Sequence, residues 1–414
     1  MTVTLYIIFC AYWNIPMHSR SLFSQKESFF SLSFVAICVA NLLLFVAFYF
    51  IMPVLPMYLS LEMKAGPVAM GSILAAYTLC ALMVRPFAGY VADAYKGKTL
   101  FLVTFFLFSL CFAGYLLPAS LTLLFFLRAI HGVSFSMVTT STTVYVVEVL
   151  PPARLGAGIG FFGATAALAM ALGPSIGMFV LERYSYPVVF ASSIGVATLG
   201  LAIGLLVRPL PSTSISHKAP LRLKSLFLPV VKKPFIAFAL LAFIYGLLLT
   251  YISLFAREKG FTLNVGYVFS LMALGLIISR LFAGRFIDGG GLIPLMSAGY
   301  FIVIISCFVF TITWHEWLFF GSALFIGLGF GLLMPAFQTI FTTLVAPHER
   351  GRSNSLFFSA FDLGIGIAVF FGGVVGEKLG MQTAYLTGVA LLVLSFLYFR
   401  FFVVAHYEAN KVVQ

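Results

Sequence analysis

Two nine-residue stretches, Arg85-Pro-Phe-Ala-Gly-Tyr-Val-Ala-Asp93 and Arg280-Leu-Phe-Ala-Gly-Arg-Phe-Ile-Asp288, match each other and decide the fold. Five positions are identical in register, and the second stretch follows the first by 195 residues. Each stretch ends a long apolar segment and lies beside positive charge. The chain is therefore predicted to be duplicated, with each copy running from a membrane helix into a tight charged turn.

The composition around these stretches is that of an integral membrane protein. Hydrophobic residues make up 62% of the 414 residues, charged residues only 9%, and the mean hydropathy is +1.11. Soluble domains average about 45–50% apolar and about 25% charged residues. A membrane-spanning helix needs roughly 20 mostly apolar residues, because its backbone satisfies its own hydrogen bonds across the hydrocarbon. The sequence supplies twelve such runs, at 31–56, 68–92, 99–117, 120–149, 155–181, 186–207, 234–256, 265–287, 292–313, 317–345, 353–376 and 382–404.

The distribution of charge predicts the orientation. The formal net charge of +12 does not indicate a nucleic-acid partner, because the basic residues fall mainly on one side of the predicted helices. With the amino terminus inside, 18 of the 24 Lys and Arg lie at the inner side, which is the bias of cytoplasmic loops. We therefore expect a multi-pass protein of the cell inner (plasma) membrane with both termini cytoplasmic. Of the other six basic residues, Arg128 lies within a span. The remaining five lie at the outer side of the membrane: Lys64, Arg183, Arg257, Lys259 and Lys378.

The longest hydrophilic stretch divides the twelve runs six and six. It is basic and rich in proline, so it is interpreted either as a solvated linker or as a segment that lies on the anionic cytoplasmic leaflet. The five predicted regions are a cytoplasmic N-terminal segment, an N-terminal six-helix bundle, the basic linker, a C-terminal six-helix bundle and a cytoplasmic tail, at 1–30, 31–207, 208–233, 234–404 and 405–414.

The repeat extends beyond the opening stretches. The same offset of 195 residues relates Gly156 to Gly351, Phe162 to Phe357, and Gly177 to Gly372. Repeats of this kind build two helical bundles around a site at the middle of the membrane, and rocking of one bundle on the other exposes that site to each side in turn. The sequence therefore favours a transporter.

The turn after the second predicted helix carries Gly89, Asp93, Gly97 and Lys98, downstream of Arg85, and resembles the loop signature of the major facilitator superfamily. The resemblance covers about residues 30–405 and implies a latch at Asp93 for the outward-open arrangement. Ala94 replaces the usual basic residue, and Gly97 comes one position late. The second copy, Gly284 and Asp288, also lacks a basic residue after its aspartate. The alternative interpretation of both copies is an ordinary solvated turn.

The fourth predicted helix contains Arg128-Ala-Ile-His131-Gly132, which resembles the arginine motif of the same family. A guanidinium stays charged and is costly in hydrocarbon, so Arg128 must face a cavity or a partner. His131 lies three residues away on the same helical face. It is either a neutral, hydrogen-bonded core residue or a proton carrier.

The fifth predicted helix contains Gly173, Pro174 and Gly177, and it resembles the glycine-proline signature of the antiporter branch of the family. Small residues at this spacing predict close packing of helices 5 and 8, with a bend at Pro174. Ala169 and Met178 replace two of the usual glycines. The same packing would also serve an importer.

Asp362 is the one carboxylate placed well inside a predicted span, and its repeat equivalent is Ala167. An acid near the middle of the membrane is a candidate for proton exchange, with its ionisation tuned by a cation such as Arg128. The alternative is a structural carboxylate that anchors the interface between the bundles. The predicted polar core thus consists of Asp362, Arg128 and His131.

Hydroxyl, amide and aromatic side chains on helices 1, 4, 7 and 10 are the candidate contacts of a substrate, because these helices line the central cavity in the family. The alternative for each Ser or Thr is a hydrogen bond to the preceding helical turn. The candidates are Asn41, Tyr49, Ser136, Thr139, Tyr145, Tyr245, Tyr251, Gln338 and Thr342.

These observations predict an all-α integral membrane protein with twelve transmembrane helices in two pseudo-symmetric six-helix bundles. The expected function is proton-coupled efflux of drug-like molecules or metabolites by a monomer, through alternating access of its central site to the two sides of the membrane. The partners are a small-molecule substrate, protons and the lipid bilayer. Neither a cofactor nor a metal site is indicated, and no nucleotide-binding glycine loop of the GxxxxGK type occurs. The alternatives are an importer or facilitator of the same fold, a membrane receptor without transport, and an enzyme that modifies lipids.

Overall fold

The computed structural model describes residues 31–95, 97–117, 120–150, 155–208, 228–288, 291–346 and 349–411. Over these residues the chain is helical and contains no strand. The predicted N-terminal segment at 1–30 and most of the predicted linker lie outside the described residues. The long helices are α1 Leu32–Ile51, α2 Pro67–Ala94, α3 Lys98–Ala113, α4 Leu121–Val149, α5 Leu155–Arg183, α6 Tyr186–Leu205, α7 Lys232–Glu258, α8 Gly266–Asp288, α9 Leu292–Ile312, α10 Glu316–Thr343, α11 Arg350–Leu379 and α12 Met381–Tyr398.

The twelve predicted spans are confirmed, and each begins within three residues of a helix start. Eleven of the described helices are long and apolar enough to cross a membrane. In α8 the described apolar stretch is Gly266–Ser279. Two helices run on past their α-helical part: α1 continues through Val54–Met57 and Tyr58–Glu62, and α12 continues through Phe399–Val403 and Val404–Asn410.

Local sequence fixes several of the helix ends. The hydroxyls of Ser31 and Ser120 accept hydrogen bonds from backbone N–H groups in the first turns of α1 and α4, each at 3.2 Å. Pro67 opens α2, where its missing N–H leaves no helical bond unmade. Gly380 joins α11 to α12 with φ of +82°, in the left-handed region that favours glycine.

The helices pack as two equivalent sets of six. In the first set α1 packs against α5 and α6, α2 against α4, and α3 against α4 and α6. In the second set α7 packs against α11 and α12, α8 against α10, and α9 against α10 and α12. The two sets meet along α2 and α11, and along α5 and α8. This is the predicted pair of pseudo-symmetric six-helix bundles.

Glycines at equivalent positions allow equivalent close contacts in the two sets. A Cβ added to Gly132 of α4 would overlap the backbone carbonyl of Tyr77 in α2, and one added to Gly327 of α10 would overlap the carbonyl of Met272 in α8. Both pairs are related by the offset of 195 residues. The backbone contact is therefore preserved although the side chains at 77 and 272 differ.

The chain has two faces, which we name by the segments they carry. The tail face carries the start of α1 and the ends of α4, α6 and α12, and its segments are tied together by hydrogen bonds. The Arg208 N–H donates to the Ser33 hydroxyl at 3.0 Å, the Tyr145 hydroxyl donates to the Arg208 carbonyl at 3.0 Å, and His406 Nε2 lies 2.7 Å from the Val230 carbonyl. The far face carries the connections α1–α2, α5–α6, α7–α8 and α11–α12.

Candidate functional site

An ion pair inside the helical region joins the two bundles. The Arg85 guanidinium of α2 donates through Nη2 to the Asp362 carboxylate of α11. Asp362 lies twelve residues after the start of α11, and Arg85 lies nine residues before the end of α2. The side chains are only 14% and 15% exposed. Breaking such a pair by removing one partner leaves a charge buried without compensation, which costs about 3–5 kcal/mol.

The ion pair lies at one end of a long contact between α2 and α11. This contact starts at the far face, where a Cβ on Gly71 would lie 3.1 Å from the Gly373 Cα. It continues at Thr78, whose Cγ2 would lie 3.2 Å from a Cβ on Gly366, and then reaches Arg85. A carboxylate can accept a proton, so the charge of this pair depends on the protonation of Asp362.

Sequence reasoning assigned Arg85 to the turn motif and to the inner side of the charge count, and it missed the pairing of Arg85 with Asp362. The structure places Arg85 within α2, where it pairs with Asp362, the acid that the sequence predicted inside a span. A signal was available: Arg85 falls inside the predicted span 68–92, and a guanidinium there needs a partner.

Arg128 does not pair with Asp362 in this arrangement, and among the described residues it makes no ion pair. Its side chain is 2% exposed, and its guanidinium carbon lies 4.2 Å from the ring centre of Tyr77. Nη1 is 3.4 Å from the Tyr115 hydroxyl, and Nη2 is 3.5 Å from the Leu74 carbonyl. The charge is therefore held by an aromatic face and neutral oxygens within the first bundle.

His131 belongs to the same cluster. It is fully buried, its Nδ1 lies 3.0 Å from the Tyr115 hydroxyl, and its ring centre lies 4.8 Å from that of Phe108 and 4.7 Å from that of Phe112. Arg128 Nε, His131 Nε2 and the Tyr77 hydroxyl have no hydrogen-bond partner within the described part of the chain. The predicted polar core is thus divided into an interface pair around Asp362 and a cluster around Arg128 inside one bundle.

Three predicted cavity residues form hydrogen bonds to other segments of the chain. Asn41 Nδ2 donates to the Thr165 hydroxyl at 2.9 Å and links α1 to α5. The Tyr251 hydroxyl donates to the Val369 carbonyl at 2.6 Å and links α7 to α11. Tyr145 bonds Arg208 at the tail face. These side chains have local partners that the sequence did not reveal.

The other candidates from α4 and α10 lie in the tail-face halves of their helices and are mostly half-buried. The hydroxyls of Thr139 and Thr342 donate to carbonyls of their own helices, at 2.8 Å and 3.0 Å. Gln338 Nε2 donates to Asn354 Oδ1 at 3.0 Å. Ser136 is fully buried, and its hydroxyl has no partner among the described residues. Both threonine hydroxyls therefore form the hydrogen bond to the preceding helical turn that was the alternative to a substrate contact.

Two predicted tyrosines lie in aromatic surroundings. The Tyr49 ring centre is 5.0 Å from that of Phe48, and the Tyr245 ring centre is 4.8 Å from that of Phe330 and 5.5 Å from that of Phe361. Tyr245 also lines a narrow apolar cleft where α5, α7, α8 and α10 meet, together with Met170, Leu249, Phe269, Met272 and Phe330. This cleft bridges the two bundles.

The turn motif is described in part. Gly97 has φ of +103°, a conformation that favours glycine, and Lys98 Nζ donates to the Leu205 carbonyl at 2.7 Å. Lys98 therefore binds the carboxyl end of α6 within its own bundle. Gly89 and Asp93 lie in α2, and Gly284 and Asp288 lie in α8, with side chains outside the described set.

The glycine-proline signature of α5 packs against α1, which corrects the prediction that it serves the contact with α8. A Cβ on Gly173 would lie 2.7 Å from the Tyr49 Cβ, and one on Gly177 would overlap the Phe50 carbonyl. Helices α5 and α8 do meet, through other residues: the rings of Phe179 and Tyr267 lie 5.1 Å apart. Pro174 lies inside α5 as predicted, and it is buried.

Comparisons with known proteins agree with this architecture. The family model described as Major Facilitator Superfamily matches residues 37–314 and 264–413. Over 378 residues the chain is 26% identical to the uncharacterized MFS-type transporter YhhS of Escherichia coli (strain K12), covering 89% of this chain and 91% of that protein. It is 23% identical over 330 residues to the quinolone resistance protein NorA of Staphylococcus aureus (strain MRSA252), covering 77% and 84%.

Solved structures share the fold at low sequence identity. A bacterial homologue of the human lysosomal transporter Spinster superposes with a TM-score of 0.76 at 13% identity, covering 94% of this chain and all of that one. The human organic anion transporter MFSD10 superposes with a TM-score of 0.67 at 17% identity, covering 89% and 98%. With the family model spanning both bundles, this chain belongs to the Major Facilitator Superfamily and is a multi-pass membrane transporter of small molecules.

Proposed function

We propose that this transporter is a proton-coupled exporter of small organic molecules, with its tail face in the cytoplasm of a bacterial cell. The observation that carries the proposal is the ion pair between Arg85 and Asp362, which joins the two bundles within the helical region. A titratable group at the contact between two moving bodies links protonation to their relative position.

The linkage follows from the chemistry of the pair. Ionised Asp362 attracts Arg85 and stabilises the arrangement in which α2 and α11 are in contact along their length. When Asp362 takes up a proton, the attraction is lost, and the arrangement in which the bundles separate at this seam gains population. Since coupling is reciprocal, a shift of the bundles also changes the affinity of Asp362 for a proton.

Arg128 has a different role in this proposal. Its charge is fixed in the first bundle by Tyr77 and Tyr115, at 4.2 Å and 3.4 Å, so it biases the polar core without moving between partners. His131 acts as a neutral support of Tyr115. The Asp93 turn is proposed to stabilise the outward-open arrangement by facing the amino-terminal end of α11.

The substrate class is proposed from the surfaces that the bundles share. The side chains that meet around Tyr245 are apolar and come from four helices. The cleft between them is too narrow for a substrate in this arrangement, and we propose that movement of the bundles widens it into an apolar surface for lipophilic molecules with few polar groups. The similarity to a protein named for quinolone resistance supports efflux of drug-like compounds. Import or facilitated diffusion of a metabolite is the alternative, and it predicts uptake instead of efflux. The transporter is proposed to work as a monomer.

The first experiment identifies the cargo and its direction. Cells with and without the gene are compared for growth on a panel of toxic compounds that includes quinolones. An exporter is expected to raise tolerance to at least one compound. Lower tolerance to a toxic compound, together with faster uptake of it, would support the importer instead.

The second experiment tests the role of Asp362 with the compound that the panel identifies. In proteoliposomes, an imposed pH gradient is expected to drive accumulation by the unchanged protein. Asp362→Asn is expected to abolish this accumulation and to retain exchange of labelled for unlabelled substrate. Glu408→Gln is the matched control, because Glu408 is an exposed acid in the helical extension after α12, where it pairs with Lys411 at 2.5 Å. Full gradient dependence in the Asp362→Asn variant would remove the proton role.

A further inference from the structure

Two glutamates at the far face, Glu182 and Glu377, occupy equivalent positions in the two bundles, since 195 residues separate them. Glu182 lies near the end of α5, and Glu377 lies near the end of α11. Each side chain crosses to the other bundle. Glu377 Oε2 accepts a hydrogen bond from the Val68 N–H at 3.2 Å, and Glu182 Oε2 accepts one from Asn264 Nδ2 at 2.5 Å.

The elements that receive these carboxylates are also equivalent, because they are the starts of α2 and α8. Helix α2 begins at Pro67, which has no N–H, after Gly66, which has no side chain to cap the helix. The Val68 N–H is thus an unpaired donor of the first turn, and Glu377 supplies its acceptor. A carboxylate at this end of a helix also interacts favourably with the helix dipole.

At α8 the bridge runs through one side chain. Asn264 Oδ1 accepts a hydrogen bond from the Gly266 N–H at 2.6 Å, and the amide of the same side chain donates to Glu182. Both bridges therefore connect the end of a helix in one bundle, through a carboxylate, to the first turn of a helix in the other.

The backbone beneath each bridge is closely packed in the same way. A Cβ on Gly71 of α2 would lie 3.2 Å from the Phe370 carbonyl of α11, and a Cβ on Gly266 of α8 would lie 3.2 Å from the Ser175 carbonyl of α5. The two glycines are 195 residues apart, and so are the two carbonyl residues. Both halves of the repeat have therefore kept the same two features at the far face, which are the close backbone contact and the carboxylate bridge.

We propose that Glu182 and Glu377 are a pair of symmetry-related latches that hold the bundles together at the far face and set the population open to that face. The proposal rests on alternating access and not on proton coupling. A net hydrogen bond changes an equilibrium by about 2- to 10-fold, so two such bridges favour closure and still allow rapid reopening. A single strong bridge would oppose the return step of every cycle.

The test measures the distance between the bundles at the far face. Nitroxide labels are placed through Tyr184→Cys and Trp317→Cys, in the first and second bundles, where the native side chains are 62% and 80% exposed. The full chain, with its native cysteines replaced, is studied in lipid nanodiscs by pulsed electron double resonance. Glu182→Ala and Glu377→Ala are each expected to raise the ratio of long to short distances about 2- to 10-fold. The double variant is expected to show the product of the two effects.

Glu316→Ala is the matched control. Its carboxylate accepts hydrogen bonds from the Thr262 and Leu263 N–H groups, at 2.6 Å and 2.7 Å, and it does so within the second bundle alone. It is expected to leave the distance ratio unchanged. Glu182→Gln and Glu377→Gln keep an acceptor oxygen, so smaller shifts are expected, and they replace any alanine variant that does not fold.

Two results would overturn the latch proposal. One is an unchanged distance ratio in the alanine variants, or in the glutamine variants where these replace them. The other is an equal change in the Glu316→Ala control. Because the measurement uses neither a substrate nor a pH gradient, it stays separate from the tests of proton-coupled export.

Discussion

Arg85 and Asp362 would each be costly inside a membrane alone, and the fold places them together across the interface of the bundles. The repeat does not supply a second copy of the pair, because the equivalents of Arg85 and Asp362 are Arg280 and Ala167. Among the described residues the α2–α11 seam therefore carries one ion pair, while the α5–α8 seam has no acid at the position equivalent to Asp362. On the basis of this asymmetry, we propose that one proton is coupled to each transport cycle.

Removal of one partner of the ion pair is predicted to destabilise the protein strongly. Arg85→Gln leaves Asp362 buried without its cation, which is expected to cost about 3–5 kcal/mol. The double variant Arg85→Gln with Asp362→Asn removes both charges and is expected to recover most of the apparent melting temperature. Thermal unfolding of the purified variants in one detergent measures both effects.

The matched control for these ion-pair variants is Lys411→Gln, which breaks the exposed pair with Glu408. It is expected to leave the melting temperature unchanged, because solvent screens exposed pairs. If the double variant were no more stable than Arg85→Gln, the two charges would not act as a pair.

At this scale the sequence predicted the acid and missed its partner. Asp362 was found because it is a carboxylate within an apolar run, a property that one sequence displays directly. Arg85 was assigned to a turn because the repeat drew attention to the motif around it. Which cation faces an acid depends on how α2 and α11 align along their contact, and a single sequence does not encode that alignment visibly.

At the scale of helices, close backbone contact occurs at glycines, and the repeat has kept one such contact in both bundles. Gly132 on α4 approaches the Tyr77 carbonyl, and Gly327 on α10 approaches the Met272 carbonyl. Small residues of this kind let membrane helices pack by van der Waals contact, in the absence of a hydrophobic driving force between them. Each bundle therefore depends on the absence of a side chain at one equivalent position.

Alanine at these glycines is predicted to destabilise each bundle. Gly132→Ala and Gly327→Ala place a Cβ against a backbone carbonyl, and overpacking of this kind costs about 1–3 kcal/mol. Gly195→Ala and Gly321→Ala are the controls, because a Cβ there meets no atom within 4 Å. The controls are expected to be neutral or slightly stabilising, since alanine favours helix more than glycine does.

Thermal unfolding of the four glycine variants in detergent separates the two groups. Equal melting temperatures for the clashing and the control variants would contradict the packing described for α2 with α4 and for α8 with α10.

Helix positions were predictable from the sequence, and helix partners were less so. The apolar runs gave the starts of all twelve helices within three residues, because span length is set by the thickness of the membrane. The glycine-proline signature predicted close packing of α5 and assigned it to α8, whereas Gly173 and Gly177 face α1. Residue spacing gives the face of a helix, and the neighbour of that face is decided by the whole bundle.

At the scale of the whole molecule, we propose that the two faces of the interface between the bundles divide the work of transport. The glutamate bridges and the glycine contacts close the far face, and the ion pair lies toward the tail face. In our account, movement toward the opposite arrangement breaks the bridges and changes the charge state of the pair. Substrate movement and proton movement are thereby linked through the relative position of two rigid bundles.

The most direct test of this account measures proton movement that is driven by substrate. Proteoliposomes that enclose a pH-sensitive dye are given a gradient of the transported compound at equal pH on both sides. The account predicts that the unchanged protein moves protons against the direction of substrate flow, and that Asp362→Asn moves substrate down its gradient without protons. Proton movement by the Asp362→Asn variant, at the ratio of protons to substrate found for the unchanged protein, would contradict it.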